Sequence, residues 1–333
     1  MRVNTFVALL GLLCATVAGA EMPPELVSGA EGLGLSADEI AAAENEPVAW
    51  IASELSGGPL IVVAGLVKIS APASALTKTF LDREAFLRSE AIKDAGEFSN
   101  PAVASDVASY RLPESDLEAL TDCEVGDCKF KLAAQGVEAL EQVDWEAPDA
   151  RDRVDDIMRK AMVEYVRRYR EQGRRALLLA VDKEKPLSLA KGVKKLLTNR
   201  PESKTLIADF RNYLLNFPNV ELAGAHDKIF WTVRDYGYRP VTSVLHAVVQ
   251  ERPGRVPVTA VAVTSLYASH YFHGRVEYLG LFADPTDPGV TYAAYVDQLL
   301  FDDEVGSIKR KMLEAGVRKD VRRRLEIVQE KYK

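Results

Sequence analysis

Four histidines hold most of this sequence's capacity for acid–base or metal chemistry: His226, His246, His270 and His273. His270-Tyr-Phe-His273 looks like a metal pair. On a strand, residues three apart face opposite ways, so these two rings cannot easily share one ion. There is also no H-E-x-x-H. His246 falls between Val244 and Val248 on one strand face, and His270 between Ala268 and Phe272. A buried, hydrogen-bonded core histidine accounts for each; a polar handle in a cavity is the functional alternative. Ser188-Leu-Ala-Lys191 spells S-x-x-K, but two fixed residues in four arise often by chance. Neither S-D-N nor K-T-G accompanies it, and G-x-S-x-G is absent. Without G-x-x-x-x-G-K-[ST] or G-x-G-x-x-G, a phosphate cradle has no support. No catalytic residue, metal ligand or cofactor is therefore nominated. Asp302-Asp303-Glu304 reads as the N-terminal cap of a closing helix, favoured by the helix dipole.

The cysteines depend on the compartment. Arg2, an apolar run from Phe6 to Val17 and Ala18-Gly19-Ala20 read as a secretory signal over residues 1–20, cleaved before Glu21. A membrane anchor fits less well, because the run is too short to span about 30 Å of hydrocarbon. A lipoprotein signal at Cys14 fits less well because a bulky Leu13 precedes it. Export leaves Cys123 and Cys128 in an oxidising place, where an even pair usually bridges; free or redox thiols are the alternative. A zinc site lacks four ligands, and Lys129 after the second cysteine excludes a c-type haem. The protein is expected in the periplasm, or outside the cell.

Several elements must position these residues. Residues 21–57 read as an N-terminal extension, with Ser36 and Glu39 as a capping box and Val48–Leu55 as a strand. Leu60 to Ile69 is a buried strand stopped by Ser70-Ala71-Pro72. Helices are expected over Ala73–Leu81 and Arg83–Lys93. Residues 113–217 are mainly helical. The clearest helix, Asp149–Gln172, carries Val154, Ile157, Met158, Ala161, Met162, Tyr165, Val166 and Tyr169 on one stripe and stops at Gly173. From Lys228 onward the chain reads as strands: Ile229–Val233, Val241–Val249, Val256–Phe272 and Val290–Phe301. Short turns between them imply antiparallel pairing. A helix from Asp303 to about Tyr332 follows. Val317, Val321, Leu325 and Val328 form its stripe, with Ile308 and Met312 in its earlier turns and Gly316 as a point where it bends.

The whole chain has 333 residues, 47% of them hydrophobic and 27% charged, with net charge −7. Such a composition excludes a disordered or low-complexity chain. The acidic balance argues against a nucleic-acid partner, which needs a basic surface. The closing helix is basic, and Arg322, Arg323 and Arg324 are a candidate contact with an anionic membrane surface.

Two resemblances sharpen this reading. Gly65-Leu-Val-Lys-Ile-Ser-Ala-Pro72, followed by a helix through Phe80-Leu-Asp82 and, at the far end, by strands and one long helix, resembles START/SRPBCC-type domains. That resemblance implies an α+β helix-grip fold, an antiparallel sheet wrapped on its last helix around an apolar cavity. Here it would occupy residues 58–332, with a large helical insertion over 113–217. Leu120 to Leu132 (LTDCEVGDCKFKL), Trp231-Thr-Val-Arg-Asp-Tyr-Gly237 and Ser265-Leu-Tyr-Ala-Ser-His-Tyr-Phe272 are similar to the shared motifs of an uncharacterised family of exported bacterial proteins. This second resemblance implies topology and export but no activity. The helix-grip resemblance implies, by analogy of fold, a non-catalytic envelope protein that binds or carries a lipid-like or other apolar small molecule. Trp231, His246, Tyr267, His270 and Tyr271 are the candidate cavity residues. A structural or protein-interaction component of the envelope is the alternative, and an enzyme acting on an apolar substrate comes third.

Overall fold

The computed structural model of the protein describes residues 50–54, 59–81, 91–198, 206–237, 239–255, 258–302 and 306–332, with a few isolated positions before Trp50. The signal-like residues 1–20, the capping box at Ser36 and Glu39, and Arg83–Glu90 of the second expected helix lie outside the described residues.

The protein is α+β, with a large antiparallel sheet and a C-terminal helix. Strands β1 (Trp50–Glu54), β2 (Leu60–Ile69), β3 (Ile92–Phe98), β6 (Ala225–Arg234), β7 (Val241–Glu251), β8 (Thr259–Ala268), β9 (Phe272–Ala283) and β10 (Thr291–Phe301) form one sheet. Its order is β1-β2-β10-β9-β8-β7-β6-β3, and every neighbouring pair is antiparallel. A two-stranded ribbon, β4 (Leu179–Ala180) and β5 (Leu187–Ser188), stands apart. Every residue of β8 and β10 is buried. Strands covered on both faces read as continuous apolar runs rather than alternating ones, and two separate cores explain this pattern.

On one face lies the closing helix α7 (Ser307–Lys331), with α1 (Ala73–Leu81) beside it. Leu313, Val317, Val321 and Leu325 of α7 pack with Ile61, Val63, Leu279 and Leu299 of the sheet. The other face is covered by chain from between β3 and β6, which contains α2 (Glu114–Leu120), α3 (Ala134–Glu141), α4 (Ala150–Gln172), α5 (Leu189–Thr198) and α6 (Leu206–Asn216). There Val154, Met162, Val166 and Phe210 pack with Trp231, Val248, Ala262 and Tyr278. Gly173 ends α4 at φ 57°, and a Cβ there would sit 1.7 Å from the Phe217 carbonyl oxygen. Only glycine fits.

Some expected elements change. Ile92 and Lys93 belong to strand β3, not to a helix; β3 is held at the sheet edge by pairing with β6. The expected strand Val256–Phe272 is two strands (Val256 itself lies outside the described residues). β8 ends at Ala268, the chain reverses over Ser269–Tyr271, and β9 begins at Phe272. Tyr271 takes the left-handed conformation at φ 59° that this reversal requires. Helix α7 begins at Ser307, so Asp302 does not cap it. Ile308 and Met312 are 78% and 49% exposed, and Leu313 takes the buried place in that turn.

Candidate functional site

The face under α7 is where a helix-grip sheet would hold an apolar cavity. Among the described residues, this face carries a buried network of charges. Arg275 Nε lies 2.9 Å from Asp297 Oδ1 and 3.0 Å from Glu277 Oε1. Arg324 of α7 reaches Glu277 at 3.1 Å and Asp320 at 3.0 Å. Arg234 lies 3.4 Å from the same Asp320 carboxylate. The Tyr236 hydroxyl accepts from Arg275 and Arg234, and the Tyr295 hydroxyl donates to Glu277. Burial alone would raise the Glu277 carboxyl, but Arg275, Arg324 and Arg234 outweigh it and hold the pKa at about 2. At Asp297 burial prevails over Arg275 and the pKa rises. A cavity of about 10 Å³ beside Thr232, Arg234, Ser243, Ser265 and Arg275 has room for one water.

A larger pocket lies on the opposite face. It is an open groove of about 580 Å³ between α3 and α4, within the range of small-molecule sites. Helix α4 contributes Ile157, Met158, Ala161, Met162 and Tyr165 from its apolar stripe. Only part of that stripe is core: Met158, Met162 and Tyr165 are buried, while Ala161 is exposed. Helix α3 presents Gly136 and Ala139, with Ala133 just before it; these are too small to close the gap. Val244 and Tyr267 of the sheet form the floor, with Leu132 and Leu178. The Tyr267 hydroxyl donates to the Lys131 carbonyl at 2.8 Å, and Tyr165 donates to the Leu266 carbonyl at 2.6 Å.

Of the five candidate cavity residues, Tyr267 alone lines this groove. Trp231 is fully buried, donates from Nε1 to the Asp106 carbonyl at 2.9 Å and sits beneath Gly96, whose missing side chain makes room for the indole. His246 is fully buried among Tyr169, Tyr213 and Phe217; Nδ1 lies 2.9 Å from the Tyr169 hydroxyl and Nε2 3.4 Å from Asp227. His270 is in the β8–β9 turn, not on a strand face. Its Nε2 donates to Asp116 at 2.8 Å, and its ring meets Phe130 edge-on. Tyr271 is half-buried on the α7 side. His273 donates to the Ser188 carbonyl, so His270 and His273 face different partners.

Cys123 and Cys128 are joined, with sulfurs 2.05 Å apart. The loop they close is tied down by Gly126 N–H to Val181 and Cys128 N–H to Asp182. It leads directly to Lys131, whose ammonium lies 2.7 Å from Asp302. Of the arginine triplet, Arg322 is exposed, Arg323 pairs with Glu326 and Glu330, and Arg324 points inward to the network. No helix among the described residues is long and apolar enough to cross a membrane.

The α3–α4 groove could not be located from sequence. Ile157 and Ala161 fall on a recognisable stripe, but an emptied section of that stripe depends on the small residues facing it from another helix. No model of a known protein family matches this chain, and no curated protein matches it in sequence.

Proposed function

We propose that this is an exported envelope protein of helix-grip type that binds a lipid-like or other apolar small molecule, and that its ligand site is the groove between α3 and α4. The observation that carries the reading is the groove itself: about 580 Å³, walled by aliphatic and aromatic side chains whose hydroxyls are already bonded internally. The helix-grip assignment is supported by β2, which runs through Pro72 into α1 and pairs with β10, and by the long helix laid across the sheet after β10. Export is supported by the Cys123–Cys128 bridge and by the signal-like residues 1–20. The intact mass of the secreted protein should place the first residue at Glu21.

The ligand site is tested by titrating an apolar fluorescent probe into the protein. Ala161→Trp fills the groove from its exposed wall. It should weaken probe binding by about tenfold or more, or roughly 1.4 kcal/mol, with melting unchanged. Equal binding by both proteins would remove the groove as the site.

A further inference from the structure

The interior of the α3–α4 groove has nothing to offer a polar ligand group. The two hydroxyls in its walls donate to backbone carbonyls, and the ammonium of Lys131 is held by Asp302. An unsatisfied polar group placed there would lose its water and gain no partner. The mouth differs. Lys160, Glu164 and Arg168 border the groove four residues apart along α4, a spacing that sets them in one row. Glu164 is answered by Arg168 at 3.8 Å. Lys160 is exposed and pairs with no carboxylate among the described residues. The mouth therefore carries an unbalanced positive charge above a hydrocarbon slot.

We infer that the groove takes a single-chain amphiphile with an anionic head, its methylenes between α3 and α4 and its head at Lys160. This rests on the groove being the ligand site. A neutral head would gain at most a hydrogen bond, from Gln135 or Lys160, and a cationic one would be repelled. Alkyl carboxylates and alkyl phosphates share the required chemistry.

The test is displacement of a bound apolar probe from the full-length exported protein by alkyl carboxylates, phosphates, alcohols and trimethylammonium salts of graded chain length. Affinity should rise about fourfold per added methylene until the chain outgrows the groove. At equal length the anions should bind roughly fivefold to tenfold tighter than the trimethylammonium salts, a margin that shrinks with added salt. The carboxylate and phosphate arms show which anion is preferred. Lys160→Glu should invert the order of heads, whereas Ala161→Trp should weaken every series together. If wild-type protein ranks anionic and cationic heads equally, or Lys160→Glu leaves the order as it was, the anionic head is wrong while the groove stands. If no alkyl compound competes whatever its head, the groove is not the ligand site and both readings fall.

Discussion

Lys131 and Asp302 form a charge pair that water barely reaches: Lys131 is 1% exposed and its partner 7%. Burial pulls the Lys131 pKa below its ordinary value, against the opposing pull of Asp302. Removing one member leaves the other charged and alone, which costs about 3–5 kcal/mol, against 0–1 for a surface pair. Lys131→Met should lose about that much stability in urea, and Lys131→Met with Asp302→Leu should recover most of it. A single-variant loss near that of a surface pair would show that the site is wetter than its geometry. His270 makes a pH-dependent counterpart. Burial lowers its pKa from 6.5, and the bond to Asp116 only partly opposes this. Above 6.5 the imidazole is neutral folded and unfolded, so its contribution is complete. As pH falls through 6.5, the unfolded chain takes up a proton that the folded chain resists, and stability drops. Thermal melts should therefore fall between about pH 7.5 and 5.5, and His270→Asn should flatten part of that slope. His270 is buried in a turn rather than on a strand face, so of the two core histidines only His246 was legible from its apolar strand neighbours. Their partners were not, because Asp116 lies 154 residues from His270, and Tyr169 lies 77 from His246.

Helix α7 passes close to the turn between β6 and β7 at Gly316, where a Cβ would come within 2.5 Å of the Tyr236 carbonyl oxygen. The missing side chain lets the helix approach this turn closely. Two effects compete on substitution. Gly to Ala inside a helix gains about 1 kcal/mol of propensity, while forcing an atom into a closed contact costs about 1–3. The contact is with backbone, which gives little, so Gly316→Ala should destabilise by about 1–2 kcal/mol in chemical denaturation. A stabilising outcome would mean that α7 slides off Tyr236 without loss. The helix itself was visible from its stripe of Val317, Val321 and Leu325. Its first turns were misread, because Ile308 and Met312 look like a continuation although they fall off the four-residue line through Leu313, Val317, Val321 and Leu325 and are exposed. Strand β3 was missed for the opposite reason. Ile-Lys-Asp-Ala-Gly-Glu-Phe lacks β-branched runs, and what makes it a strand is its register with β6. The reversal at Ser269–Tyr271 carries no glycine, proline or asparagine, so no local signal separated β8 from β9.

At the scale of the whole molecule, one sheet serves two cores. The strand-rich half of the sequence declares its apolar faces, but a strand that is apolar on both sides cannot say what covers either. The helices between residues 113 and 217 were legible as helices, whereas the face they occupy is set by contacts such as Met162 and Phe210 against the sheet. A concrete consequence follows for the chain between β3 and β6. Phe98 lies opposite Ile229 in the sheet, so a short turn replacing residues 100–223 could join the two strands without breaking the sheet's connectivity. Such a chain would expose Val244, Val248, Leu266, Tyr278 and Phe282, each no more than 2% exposed in the intact protein. At about 1.5–3 kcal/mol for each large apolar side chain, five of them approach the roughly 5–15 kcal/mol that holds a domain folded. The shortened protein should bind an apolar dye strongly and melt without a sharp transition. If it instead remained a soluble monomer with a cooperative melt, the helical segment would be a detachable module laid on a self-sufficient sheet. The apolar core and charge network under α7 would then be enough to hold the sheet and its closing helix together.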